Sequence, residues 1–206
     1  MRLLVLSDVH ARWQVRYMVE EVGDDVDAAV IAGDITNFGP PEFVEDILSW
    51  FRVPVLAVPG NCDPPRVLEL LEAKRASVHM KCVEMEGMRF VGLGGSDGRG
   101  ATAGITWSDE EASSFIEQNA RDAVLILHQP PYGCNDDVGW KRIGNMALRK
   151  AVEFAPPRLI ISGHVHEDRG VETCGRTTCV NPGPAMDGMY AVVTLSGKRV
   201  DVDMFP

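Results

Sequence analysis

Two hydrophobic rhythms run along the chain. Short, nearly unbroken apolar runs stop on glycine or polar residues, as fully buried strands do. They occupy residues 2–7, 28–33 (AAVIAG), 53–58 (VPVLAV), 123–128 and 158–162. Between them the apolar positions recur at helical spacing. This predicts helices over 11–22 (ARWQVRYMVEEV), 41–51, 64–73, 108–119 and 144–154. Prolines open the second and third of these helices. The fourth carries Ser108 with Glu111 three residues on, a capping-box signature.

Runs 78–85 and 88–94, parted by Glu86-Gly87, predict a hairpin. A terminal meander is predicted over 170–174, 177–181, 189–195 and 198–204, its last hairpin turning at Ser196-Gly197. Alternating strands and helices followed by consecutive strands predict an α/β chain with two packed sheets and helices outside. One domain over 1–206 is expected.

With 206 residues and 45% apolar content, the chain can bury a sizeable core. No apolar run has the length of a membrane span, and the N-terminus lacks a secretory pattern. A cytoplasmic protein without membrane association is therefore expected. The net charge of −10 argues against non-specific nucleic-acid binding. It leaves a phosphorylated substrate open, because bound dications can reverse the local field.

The five cysteines, Cys62, Cys82, Cys134, Cys174 and Cys179, form no CxxC pair. A two-residue turn at Gly175-Arg176 would place Cys174 opposite Thr177 and Cys179 opposite Glu172. The two cysteines are then diagonal neighbours at or beyond bridging range. Free thiols are expected.

The chemistry lies where the apolar strands stop. SDVH gives Asp8 and His10, AGDITN gives Asp34 and Asn37, and AVPGNCD gives Asn61, Cys62 and Asp63. LILHQPP gives His128, and LIISGHVH gives His164 and His166. Ligands bind beyond the carboxyl ends of strands in open α/β sheets. Carboxylates, an amide oxygen and imidazoles suit first-row dications such as Mn²⁺, Fe²⁺, Co²⁺, Ni²⁺ or Zn²⁺. Glycines before Asp34, Asn61 and His164 would let the backbone approach the ions. The alternative, unrelated polar turns, is weakened because four of the five histidines fall in these motifs.

In this order, DxH, GDxxN, GNxD, a lone His and GHxH resemble the calcineurin-like metallophosphoesterase superfamily. GLGGSDG (92–98), LHQPPYG (127–133), IGNMALRKAVE (143–153) and GHVHEDRG followed by VNPGP are similar to small stand-alone prokaryotic, archaeal-type members. The resemblance implies a four-layer α/β/β/α sandwich of two mixed sheets with two divalent transition-metal ions, Mn²⁺ foremost. By position it implies one ion on Asp8, His10, Asp34 and His166. It implies the other on Asp34, Asn61, His128 and His164, with Asp34 bridging.

It further implies a phosphoesterase acting on small phosphodiesters or nucleotides, diesters favoured over monoesters. In-line attack by a metal-bridging hydroxide would be the reaction. Asp34, Asn61 and His128 would serve catalysis through that hydroxide. Cys62 stands where many members carry a histidine thought to protonate the leaving group, so Cys62 and Asp63 are weaker catalytic candidates. Asp63 reads better as a loop cap. A non-catalytic scaffold of the same fold, like a retromer subunit, is the alternative; the filled ligand set favours the enzyme.

The remaining candidates each carry two readings. Trp140, Lys141 and Arg142 in CNDDVGWKR (134–142) suit either a base and a phosphate or a solvated loop. Asn37 reads as a substrate contact or a helix-leading cap, and Arg99 as a substrate contact or simply part of a flexible rim near the metals. His79 reads as structural, and Asn181 as part of a tight turn backing the site.

Overall fold

The computed structural model describes residues 1–23, 25–100 and 104–206. The elements in chain order are β1 (Arg2–Leu6), α1 (Val15–Val22), β2 (Ala28–Ala32), α2 (Phe43–Ser49), β3 (Val55–Val58) and α3 (Pro65–Ala73). They continue with β4 (Lys81–Met85), β5 (Met88–Leu93), α4 (Asp109–Asn119), β6 (Val124–Leu127), α5 (Met146–Phe154) and β7 (Leu159–Ile161). The last four strands are β8 (Gly170–Cys174), β9 (Thr177–Asn181), β10 (Tyr190–Ser196) and β11 (Arg199–Phe205).

One sheet has the order β11-β10-β1-β2-β3 and the other β4-β5-β6-β7-β9-β8. In each, a parallel core (β1-β2-β3; β5-β6-β7-β9) is flanked by antiparallel strands. Strands buried on both faces need apolar residues at every position, which explains the unbroken runs. Leu3 and Val5 of β1 point between the sheets, against Phe90, Ile126 and Ile161. Leu4 and Leu6 point the other way, with Met18 of α1, Ile47 of α2 and Leu71 of α3. Leu125 and Ile160 face outward from the second sheet, with Ile116 of α4 and Leu148 of α5. The layers are therefore α/β/β/α, as expected.

The differences from expectation have local causes. Helix α1 starts at Val15 rather than residue 11, because the chain first continues beside the segment that leaves β2: His10 N–H donates to Asp34 O and Ala11 N–H to Ile35 O. The four terminal strands do not form one meander. β8 and β9 pair at the edge of one sheet, and the chain then crosses to the other for β10 and β11. The last turn is Gly197-Lys198, since Ser196 pairs with Arg199. Ser108 caps α4 as expected, its Oγ accepting from Glu111 N–H at 3.1 Å. Glu86 and Gly87 both take positive φ, the two-residue turn suited to twisted hairpins.

Candidate metal centre

Parallel strands from both sheets present their carboxyl ends at one edge. Beyond β1 and β2 the backbone continues to pair, with Asp8 N–H donating to Gly33 O at 3.0 Å. Asp63 holds the β2 and β3 exits together. Its carboxylate accepts from Ile35 N–H (3.0 Å), Thr36 N–H (2.7 Å), Thr36 Oγ1 (2.9 Å) and Gly60 N–H (2.8 Å). Fully buried and occupied by these donors, it positions two ligand loops, as the loop-cap reading anticipated. Across the gap between sheets, His164 N–H lies 3.2 Å from both Asp8 carboxylate oxygens, and within the second sheet Gly163 N–H donates to His128 O.

Two glycines make this closeness possible. A Cβ at Gly60 would collide with the Asp34 carboxylate, and one at Gly163 would lie 2.6 Å from Asp8 Oδ2. Asp8 (φ 53°), His10 (φ 47°), Asp34 (φ 50°) and His164 (φ 71°) all stand in the left-handed region. Such residues cost about 1–3 kcal/mol each and collect at functional sites.

The structure brings all seven expected ligands to this edge. His166 Nε2 is 3.2 Å from Asp8 Oδ1, and His10 Nε2 is 3.8 Å from Asp34 Oδ2. His128 Nε2 is 3.4 Å from Asp34 Oδ1 and 2.9 Å from Asn61 Oδ1. The His128 and His164 rings meet edge-on at 5.1 Å, and those of His10 and His166 at 5.6 Å. Donor atoms of Asp8, His10 and His166 lie within 4.8 Å of one another, as do those of Asp8, Asp34 and His128, and those of His10, Asp34 and Cys62.

The charge balance fits cations. Asp8 and Asp34 are buried, and among the described residues their ion pairs are with imidazoles, not with Lys or Arg. Burial disfavours the Asp8 anion, but the hydrogen bond from His166 and the charge of His128 hold its pKa down to about 2. Burial likewise opposes protonation of His128, yet Asp34 and Asp8 raise its pKa. The Asp8 hydrogen bond raises that of His166. Burial, with repulsion from His128, lowers that of His164 to about 4. Two buried carboxylates among imidazoles and an amide oxygen form a donor set for a borderline dication.

Burial and the Asp34 carboxylate push the Cys62 thiol up. Its Sγ sits beside Asn61 Nδ2 at 3.4 Å. Asn37 is exposed and does not cap α2, whose cap position is Glu42. His79 Nδ1 accepts from Gly94 N–H at 3.0 Å, and Asn181 spans Val165 O, Asp168 O and Gly183 N–H behind the site.

A groove of about 540 Å³ opens from His164, lined by Asp97, Arg99, Gln129, Trp140 and Lys141 among others. Trp140 is 78% exposed, with Lys141 Nζ over its ring at 4.5 Å. Arg142 is committed to buried Asp136 at 2.6 Å, and Arg99 leans on Asp97 and Asp109. Sequence reasoning missed Asp97 and Gln129, whose mutual contact (Asp97 N–H to Gln129 Oε1, 2.8 Å) shapes the groove floor. The position of Gln129 directly after His128 was the available signal. A cleft of about 570 Å³ lined by Trp13, Arg16 and Trp50 contains none of the ligand candidates.

Residues 1–198 match the family model described as the calcineurin-like phosphoesterase superfamily domain. An uncharacterized protein of Methanocaldococcus jannaschii is 31% identical over 202 residues, covering 92% of this chain and 91% of that one. A Fibrobacter succinogenes protein named "Probable cyclic nucleotide phosphodiesterase" is 26% identical over 196 residues, covering 90% and 75%. In fold, the chain is similar to a dimetal phosphatase from Danio rerio, with a TM-score of 0.69 at 13% identity over 99% and 95% of the two chains.

Proposed function

The chain belongs to the calcineurin-like phosphoesterase superfamily, and from that premise we propose that it is a binuclear phosphodiesterase acting on small diesters such as cyclic nucleotides. The carrying observation is the meeting of two buried carboxylates, four imidazoles and one amide oxygen at a single edge beside an open groove. Asp8, His10, Asp34 and His166 would hold one dication, and Asp34, Asn61, His128 and His164 the other. When bound, such ions supply Lewis acidity and a nucleophile at neutral pH. Mn²⁺ is the favoured occupant, with Fe, Zn, Ni and Co as competitors.

The chain's own residues set the rest. Asp34 lies between the two donor groups, so its loss would disturb both. Asp63 keeps the β2 and β3 exits at a fixed distance through four hydrogen bonds. Trp140 offers a face on which a base can stack, and Lys141 offers the cation nearest that face. Arg142 spends its charge on Asp136 and contributes to loop order instead. Cys62 gives the leaving group no imidazolium, which favours substrates whose leaving group departs without strong acid help. The name of the Fibrobacter relative agrees with a cyclic diester.

The test is turnover of a bis-aryl phosphate and of cyclic nucleotides by metal-depleted protein supplied with single dications. Dication-dependent hydrolysis reversed by a chelator supports the proposal. No hydrolysis with any dication transfers the case to a scaffold working through protein contacts.

A further inference from the structure

On the outer face of the second sheet, Cys134, Cys174 and Cys179 bring their sulfurs within 4.8 Å of one another. All three are free and buried, at 1%, 6% and 0% exposure. They come from two places. Cys174 ends β8, and Cys179 sits diagonally from it on β9, where Glu172 pairs with Cys179 and Cys174 with Thr177. Cys134 comes from the loop after β6, some forty residues earlier.

The loop is held against the hairpin and the turn before it by backbone donors that follow Cys134. Asn135 N–H donates to Glu172 Oε2 and Asp137 N–H to Asp168 Oδ2, each at 2.8 Å. The setting is otherwise apolar, with Leu125, Leu148, Val152 and Ile160 in the same cluster. Among the described residues a cation reaches it: Arg149 Nη1 lies 3.8 Å from Cys134 Sγ, while its Nε pairs with Glu153 toward solvent.

We propose that these three cysteines form a trigonal thiolate site for one soft divalent ion of the Zn²⁺ class. Thiolates select soft and borderline metals over the hard ions suited to oxygen donors. A planar site with metal–sulfur bonds of about 2.3 Å needs sulfurs about 4.0 Å apart. The observed cluster requires less than an ångström of contraction per pair. Three thiolates and a divalent ion sum to one negative charge, which the Arg149 guanidinium faces in a dry environment where unpaired charge is costly.

Each ligand must lose its proton on binding. All three protons leave as the ion enters. The ion would pin the loop that carries Trp140 and Lys141 to the β8–β9 hairpin. The proposal stands independently of the phosphodiesterase reading.

Cd²⁺ serves as the probe. The full chain is refolded under reducing conditions with Cd²⁺, and absorption and cadmium NMR are read for the wild type, Cys62→Ser and Cys179→Ser. The expected result is a thiolate-to-metal charge-transfer band, with one cadmium resonance typical of all-sulfur coordination. Cys62→Ser should leave both intact, Zn²⁺ should compete them away, and Cys179→Ser should remove most of the band. Should Cys179→Ser fail to fold, the wild-type resonance and the Cys62→Ser protein decide alone. A wild type without a thiolate band, or a band that Cys62→Ser abolishes, overturns the proposal.

Discussion

The ligand edge and the thiol cluster both gather metal-binding side chains, yet they are built in opposite ways. At the edge, buried carboxylates and imidazoles hang from strand exits whose backbone is forced into left-handed φ at four ligand positions. Around the thiols, β8 and β9 keep regular pairing, and the surroundings are apolar. The edge therefore combines backbone strain with buried carboxylates paired to imidazoles alone, a charge balance that a cation can complete. The thiol cluster already behaves as a small apolar core without an ion, because a protonated cysteine packs as a hydrophobe. Changes at the edge should act mainly on activity and metal content, and changes at the thiols mainly on stability.

Asp34→Asn tests this most severely. It removes the carboxylate shared by the two donor groups, so phosphodiester turnover should fall by more than about 10³-fold, with bound dication lost in parallel. The thermal midpoint should hardly move, and the two properties are read by steady-state kinetics and calorimetry. Asp63→Ala should blur the distinction, because this edge residue is a structural clamp. Its loss leaves several buried N–H groups unpaired and should cost about 4 kcal/mol in denaturant unfolding.

His79 supplies a pH test away from the ligands. Burial holds its pKa down to about 4, and its neutral Nδ1 accepts from Gly94 N–H. The unfolded chain binds this proton near pH 6.5, so between pH 6.5 and 4 the unfolded state carries more protons. Stability from this residue is complete above pH 6.5 and declines as pH falls toward 4, by at most about 3 kcal/mol. His79→Asn, which keeps an acceptor but cannot titrate, should flatten that slope in urea melts at a series of pH values. The smallest effect is expected from Cys62→His. It should improve monoester turnover relative to diester turnover by about 10-fold, and an unchanged ratio would contradict the leaving-group argument.

Much of the fold was legible because strands buried on both faces cannot hide their apolar runs, and because each run ended in residues with metal chemistry. The ligand motifs of Asp8, Asp34, Asn61, His128 and His164 were visible for that reason. Long-range partner choice was not. Nothing local in 170–204 says that β8–β9 and β10–β11 join different sheets, since that depends on which edges stay open after β1 and β7 are placed. The start of α1 was misplaced because residues 11–14 serve the turn that aims His10. Arg142 looked free for substrate because its partner, Asp136, sits in the same polar loop and only the fold reveals its burial. Cys134 carried no spacing relation to Cys174 and Cys179, so their convergence needed the loop's path.

The central claim is that one edge holds two dications through seven side chains. Anomalous diffraction at the manganese edge, from crystals grown with Mn²⁺, tests it directly, since Mn²⁺ avoids thiolate sites. Two peaks are predicted, one against Asp8, His10 and His166 and one against Asn61, His128 and His164, with Asp34 between them. A single peak, or none within reach of these side chains, would contradict it.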